Sequence, residues 1–419
     1  MDLYLGIDFG TSGARGVVVD DQASIQAEVR YAFEDSLASV MPYSWEKALF
    51  ALLEQISEEL RREIRAIAIN GTSSTVLLCD AAGKPVDAPL LYNDARGAVV
   101  LEYLVTVAPL NHTVLSATSS LAKLLWMSQQ QSFTKAKYFL HQADWLAFLL
   151  HGDLGVSDYH NALKLGYDVE QLKYPEWLNT LQIPIQLPKV LPPGTRVAEL
   201  RPEIAAKFGW RRDCLVCAGT TDSIAAFIAS GAKLPGEAVT SLGSTLVLKL
   251  LSRTRIEDAR FGIYSHRFGD LWLTGGASNT GGAILRQFFT DVELENLSRE
   301  IDPSTASKLD YYPLLKAGDR FPINDPNLPP RLEPRPENPR EFLHGLLESI
   351  ARIEAQGYEL LQQLGADKLS SVFTAGGGAA NSTWTAIRQR YLKVPVLASV
   401  YTEAAYGTAL LAMHVETRF

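Results

Sequence analysis

Asp8, Gly10, Thr11, Ser12 and Gly13 stand together at one turn of the segment Leu3–Asp20, between two apolar runs that read as paired strands. A carboxylate inside an apolar strand is costly unless an ion or hydrogen bonds compensate it. Gly10 and Gly13 permit backbone geometry that turns N–H groups toward a phosphate, and Thr11 and Ser12 add hydroxyl donors. A metal-facing Asp8 beside such a nest is suited to handling Mg²⁺-ATP. The plain alternative is a polar hairpin turn that binds nothing. No G-x-x-x-x-G-K-[ST] occurs in the chain, and no G-x-G-x-x-G opens a helix here, so the two common phosphate loops are excluded.

Three further clusters have related chemistry. Val239–Lys249 repeats the pattern of strand, glycine–hydroxyl turn and strand, with Gly243, Ser244 and Thr245 at its tip. In Val372–Trp384 a strand runs into Gly376, Gly377 and Gly378, and a helix begins near Asn381, a good capping residue. Glycines there let a flat adenosine lie against the backbone, with Asn381 and Trp384 at its edge; close strand–helix packing is the alternative use. Gly275–Gly282 is a fourth glycine-rich strand end, placed to close over a nucleotide from the same side. Asp222, at the end of Gly219-Thr220-Thr221-Asp222, is the candidate general base. A carboxylate at a helix start is more often only a cap, yet phosphoryl transfer to a hydroxyl needs a group to take its proton.

The elements that must position these residues alternate between strand and helix, as an α/β fold requires. After the hairpin, Ser44–Ile64 has helical periodicity through Leu49, Leu52, Leu53, Ile56 and Leu60, and Ile64–Asn70 reads as a buried strand. Gly71-Thr72-Ser73-Ser74 leads into strand Val76–Asp80; helices are expected over Ser120–Gln131, Ala143–Leu150, Ser223–Ser230 and Phe342–Leu364. Two copies of one phosphate hairpin imply two similar domains facing each other across a cleft. Strand–turn–strand phosphate clamps are characteristic of the actin-like ATPases. The stretch Pro322–Pro339, with seven prolines in eighteen residues, reads as an ordered loop of the second domain.

Composition agrees with this reading. The 419 residues suit two domains, and a formal charge of −8 without a basic cluster argues against nucleic acid. No apolar run approaches the roughly 20 residues that span a bilayer. Without a signal-peptide pattern, cytoplasm is expected, or an organellar stroma in a plastid-bearing source. Cys214 and Cys217 form a C-x-x-C, but on a strand they point to opposite faces, and with Cys79 they read as core residues rather than a metal or redox site. The seven histidines show no ligand spacing.

In order, the first hairpin, Gly-Thr-Thr-Asp, the second hairpin, Gly376-Gly377-Gly378-Ala379 and Glu403-Ala404-Ala405-Tyr406-Gly407-Thr408-Ala409 resemble the FGGY family of carbohydrate kinases over nearly the whole chain. Ser119–Trp126, Ala143–Leu146, Tyr311-Tyr312-Pro313 and Gly318–Pro322 are similar to further family segments. Within the family the chain resembles the short ribulokinase group of photosynthetic lineages. The resemblance implies two actin-like, ribonuclease-H-like ATPase domains flanking a nucleotide/sugar cleft, one formed by 1–228 plus 403–419 and the other by 229–402. It implies ATP and Mg²⁺, with Asp222 as base and Asp8 organising the metal and the sugar. Thr11, Ser12 and Gly13 would meet the transferring phosphate, and Gly243, Ser244 and Thr245 the inner ones. Gly281, Gly377, Gly378, Asn381 and Trp384 would line the adenosine side. Sugar contacts fall to Thr72, Ser73, Asp94 and Arg96, besides Asp8. A small-molecule sugar and ATP are the expected partners, with no nucleic acid or membrane; the sequence leaves the oligomeric state open.

Departures from the family bear on the sugar. Many xylulokinases carry Gly-Gln-Met-His-Gly where this chain has Gly71-Thr72-Ser73-Ser74, and a Trp-x-Asp-x-Arg segment appears here with Tyr92 before Asp94 and Arg96. Small hydroxyls in place of Met-His favour D-ribulose, phosphorylated to D-ribulose 5-phosphate. D-xylulose or another polyol is the alternative, and an actin-like ATPase without a sugar substrate is the rival of a different class.

Overall fold

A computed structural model of the chain describes residues 2–33 and 41–414. They form two compact units: one runs to Ala229 and resumes at Glu403, the other is Ser230–Thr402. The expected return segment 403–419 extends past residue 414, outside the described residues. Among them, no helix is long and apolar enough to cross a membrane.

The first unit is built on strand β1, Leu3–Phe9, which buries Leu3, Leu5, Ile7 and Phe9 completely or nearly so. It pairs antiparallel with β2, Gly13–Asp20, in the register Leu3↔Asp20 to Phe9↔Ala14, and the Gly10 N–H closes the turn onto the Gly13 carbonyl at 3.0 Å. β3, Ile25–Ala32, continues the meander as an edge strand. β4, Ile64–Gly71, lies parallel to β1 with Asp8 opposite Asn70. Beyond β4 come Leu215–Cys217 and then Arg196–Glu199, while Thr220–Thr221 pairs with the end of β4.

Helices Gln142–His151 and Ala404–Met413 both pack against β4, so Ala66–Ile69 at its middle is a continuous apolar run rather than an alternating one. The small residues of the last helix have a steric cause. A Cβ at Gly6 would lie 2.1 Å from the Ala409 nitrogen, and one at Gly407 would lie 1.9 Å from the Ala225 carbonyl oxygen. Helix and sheet therefore approach to backbone contact, which larger residues would prevent.

The second unit repeats the plan. Strands Glu237–Leu242 and Leu246–Ser252 form the hairpin, Leu271–Ser278 pairs beside the second of them with Tyr264–Phe268 outside it, and Ser371–Ala375 lies parallel to the first, followed by Val396–Ala398. In each sheet, antiparallel strands built on a hairpin are followed by a crossover to a strand parallel to the first strand of that hairpin. This shared connectivity is that of the actin-like ATPase fold. Beneath the second sheet, the wholly buried Arg388 makes a two-pronged ion pair with Glu354, at 2.6 and 2.7 Å. Arg388 also donates to Thr374, and Glu354 accepts from Thr240. One charged pair thus ties together the strands leading to two of the glycine clusters.

Two expectations need correction. The periodic segment over 44–64 is two helices, Met41–Gln55 and Glu58–Glu63, because the Ser57 hydroxyl caps the second one at the Leu60 N–H. The helix expected to reach Gln131 ends at Met127 and is followed by a separate turn of 3₁₀ helix, Gln131–Lys135. The proline-rich stretch belongs to the second unit: Tyr312 exchanges backbone hydrogen bonds with Arg331, and Gly318 donates to Leu328. Asp319 accepts from Ser278, Asn279 and Tyr312, which anchors this loop to the end of strand Leu271–Ser278.

Candidate active site

Asp8, Gly71-Thr72-Ser73 and Asp222 all lie at the carboxyl ends of parallel strands in the first sheet, the edge where open α/β sheets place their ligands. Asp222 is the first residue of helix Asp222–Ser230 and directly follows the short strand Thr220–Thr221 beside β4. Its carboxylate accepts the Ser223 N–H at 2.6 Å and remains partly exposed. Burial pushes the Asp8 carboxyl up to about 6, and the negative charge of Asp222 acts in the same direction. Arg15 and a hydrogen bond with Asn70 oppose the shift. Arg15 stands opposite Asp8 in the β1–β2 register and is ion-paired with Glu403.

A pair of carboxylates whose negative charge is only partly balanced is the setting a divalent cation relieves. Among the described residues, no group of three or more His, Cys, Asp or Glu side chains is placed to hold a metal. The donor set fits Mg²⁺ held by Asp8 together with phosphate oxygens, rather than by a cage made only of protein. Thr11 and Ser12 are exposed at the hairpin tip, and a Cβ on Gly13 would lie 2.5 Å from the Tyr31 carbonyl oxygen, so glycine is obligatory there.

The expected sugar residues fare differently. Ser73 is partly exposed, but the Thr72 hydroxyl is used internally: it shares a 2.5 Å hydrogen bond with Thr75 and donates to Gln142 Oε1 at 3.2 Å. Gln142 Oε1 also accepts the Thr72 N–H. Thr72 therefore shapes the loop rather than presenting its hydroxyl. Asp94 receives a bidentate bond from Arg96, whose guanidinium lies 4.7 Å from the centre of the Trp126 ring.

In the second unit, Gly243, Ser244, Gly377, Gly378, Asn381 and Trp384 line one pocket of about 740 Å³, with Arg286, Asp291, Glu295 and Arg299 among the other residues around it. The hairpin tip is fixed from behind, since Gly282 and Ala283 donate to the carbonyls of Gly243 and Ser244. Gly281, at φ +148°, has no room for a Cβ, which would fall 2.7 Å from the Ser244 oxygen. At Gly377 a Cβ would meet nothing within 4 Å, so this backbone borders open space. Asn381 is committed to structure: its Oδ1 caps the helix at the Trp384 N–H and its Nδ2 donates to Ser298. Trp384 is 2 % exposed and its indole N–H binds the Leu347 carbonyl, so most of the ring is core. Thr245 is exposed on the hairpin but is not among the pocket residues.

The three thiols are buried and unpaired with one another. Burial pushes Cys79 and Cys217 up to about 12 and Cys214 higher still, which keeps them protonated and inert.

Sequence reasoning missed Asn70, Arg15, Glu403, Gln142 and Lys123. The signals were a polar Asn70 closing an apolar strand and a charged Lys123 within Leu121-Ala122-Lys123-Leu124-Leu125. Arg15 and Glu403 are 388 positions apart in sequence, and nothing local pairs them.

Comparison with known proteins gives one consistent result. The profile of the FGGY family of carbohydrate kinases, N-terminal domain, matches residues 3–229, and that of the C-terminal domain matches 238–416. The xylulose kinase of Bacillus subtilis is 25 % identical over 445 residues, covering 98 % of this chain and 88 % of that protein. The crystal structure of xylulose kinase from Rhodospirillum rubrum superposes with a TM-score of 0.85 at 22 % identity, covering 98 % of this chain and 89 % of that one. Plasmodium falciparum glycerol kinase with ADP gives 0.83 at 17 %, with coverage of 98 % and 89 %.

Proposed function

The chain belongs to the FGGY family of carbohydrate kinases, and from that premise we propose that it transfers the γ-phosphate of ATP to the terminal hydroxyl of a ketopentose. The observation that carries this reading is the placement of Asp8 and Asp222 at strand ends on either side of β4 in the first sheet, where burial and then the charge of Asp222 raise the Asp8 carboxyl.

In this reading Asp222 accepts the proton of the attacking sugar hydroxyl as its oxygen bonds to the γ-phosphorus, the bond from that phosphorus to the β,γ-bridging oxygen breaks, and ADP leaves. Base catalysis of this kind is worth roughly 10²–10⁴-fold in rate. Asp8 would hold Mg²⁺, which when bound would neutralise charge on the phosphates. Thr11, Ser12 and Gly13 at the hairpin tip receive the transferring phosphate, the first two through their exposed hydroxyls. Gly243, Ser244 and Thr245 do the same for the inner phosphates. The nucleoside lies in the pocket bordered by Gly377 and Gly378, with Asn381 and Trp384 supporting its walls. Ser73 and the Asp94–Arg96 pair face the sugar.

Two ketopentoses compete as substrate. D-xylulose is favoured by the names of the relatives, among them the Bacillus subtilis and Streptomyces coelicolor xylulose kinases at 25 % and 28 % identity. D-ribulose is favoured by the residues after β4, where Ser73 is small and partly exposed in place of a bulky side chain. Structures with TM-scores of 0.82 and 0.83 include proteins named gluconate kinase and glycerol kinase, so fold alone does not choose the sugar.

The test is ADP release from Mg²⁺-ATP with D-xylulose, D-ribulose, L-ribulose, glycerol or no sugar. Strong stimulation by one of the first two supports the reading and names the substrate. ADP release indifferent to every sugar would overturn it.

A further inference from the structure

Lys123 is wholly buried, yet the proposed chemistry gives it no task. It lies on helix Ser120–Met127 between Ala122 and Leu124, where an apolar residue would pack at no electrostatic cost. Among the described residues no carboxylate lies within ion-pair distance of it; the largest influence of a charge on it is that of Asp94. Its Nζ donates instead to three main-chain carbonyls: Leu91 at 2.6 Å, Ser74 at 2.7 Å and Tyr92 at 3.4 Å.

Those carbonyls belong to two different loops. Ser74 ends the turn that begins with Thr72 and Ser73, and Leu91 and Tyr92 lead into Asp94 and Arg96. The Ser74 backbone is held at φ +63°, a left-handed conformation uncommon for a residue with a side chain. Its hydroxyl is buried and unpartnered among the described residues. A strained residue needs its surroundings to fix it, and the Lys123 amine binds its carbonyl directly. One helical turn further on, Trp126 lies beneath the Arg96 guanidinium, so a single helix face supports both loops. Burial pulls the Lys123 ammonium down to about 7. A neutral amine still has two N–H donors, so the clamp does not depend on its charge.

We propose that Lys123 is a positioning residue for the sugar subsite, clamping the 72–75 turn to the 91–96 segment so that Ser73 and the Asp94–Arg96 pair are presented together. The proposal rests on the reading above that these two loops meet the sugar. It predicts a selective defect: the sugar is misplaced while the nucleotide, bound mainly in the other unit, is not.

The experiment is steady-state kinetics of the full chain for Lys123→Met and Lys123→Gln, with Ser73→Ala and Asp94→Asn alongside. Lys123→Met should raise KM for the ketopentose by about tenfold or more, with KM for Mg²⁺-ATP changed by less than about twofold. Lys123→Gln, which keeps two N–H donors, should recover most of the loss. Sugar and nucleotide KM moving together, neither moving, or Gln performing no better than Met would each overturn the proposal. Should the Met variant not fold, the Gln variant decides: a rise of about threefold in sugar KM alone supports the clamp, and no rise or a matched rise in both overturns it. A selective Lys123 effect with Ser73→Ala and Asp94→Asn both unchanged would uphold Lys123 and fault the assignment of those two residues. Selective effects at Ser73 and Asp94 with none at Lys123 would overturn the clamp and leave the sugar loops standing.

Discussion

Replacing Asp8 with Asn should stabilise the protein while disabling it. The folded state lifts the Asp8 carboxyl from 3.8 to about 6, chiefly by burial and then by Asp222. An acid whose folded pKa is raised holds its proton more tightly folded than unfolded, so stability falls as pH rises from about 4 to about 6 and stays low above. A shift of roughly 2 units corresponds to about 3 kcal/mol at pH 7.5, and at pH 4.5 only about 1 kcal/mol of that cost has appeared. Asn removes the charge and keeps a similar volume. The Asn variant should therefore exceed the wild type by about 3 kcal/mol at pH 7.5 and about 1 kcal/mol at pH 4.5. Urea unfolding of both proteins at the two pH values, in metal-free buffer, measures this, with ADP release measured in parallel. Added Mg²⁺ should recover part of the deficit in the wild type alone. A stability difference that is the same at both pH values, or an Asn variant less stable at pH 7.5, would refute the claim that Asp8 is held as an electrostatically costly carboxylate.

Asp222→Ala should abolish sugar phosphorylation and leave nucleotide affinity within about twofold of wild type, as calorimetric titration with ADP would show; near-normal turnover would remove its role as base. Gly377→Ala adds a Cβ that meets nothing in the fold itself, so stability should change by less than about 0.5 kcal/mol. Because that methyl enters the pocket, KM for ATP should rise severalfold, and an unchanged KM would move the nucleoside elsewhere. Arg388→Met leaves Glu354 buried without its partner and should cost about 3–5 kcal/mol in urea unfolding. A cost below about 1 kcal/mol would show that the pair does not hold the two strands.

Much of the fold was legible because its decisive features are local. A hairpin turn needs its glycines and hydroxyls within a few positions, so β1–β2 and Glu237–Ser252 announced themselves, and their repetition implied the doubled sheet. The place of Asp222 at a strand-to-helix junction was legible for the same reason, since it follows immediately on the Thr220–Thr221 strand. What stayed hidden depends on partners distant in sequence. Nothing near Thr72 reveals that Gln142 takes its hydroxyl, nor that Trp384 turns into the core to reach Leu347. Asn381 looked like a ligand contact and a cap; in the structure both ends of its amide are occupied by protein. Lys123 stands as a lone charge among apolar neighbours in the sequence, but its use emerges only from the fold, which brings two loop carbonyls to it.

The central claim is that the γ-phosphate goes to a sugar oxygen rather than to water. Phosphorus NMR of a reaction containing Mg²⁺-ATP and either D-xylulose or D-ribulose tests it most directly. A single sugar phosphomonoester, coupled to the protons of the terminal carbon and formed in step with ADP, is the predicted result. ADP accompanied only by inorganic phosphate with both sugars would contradict it.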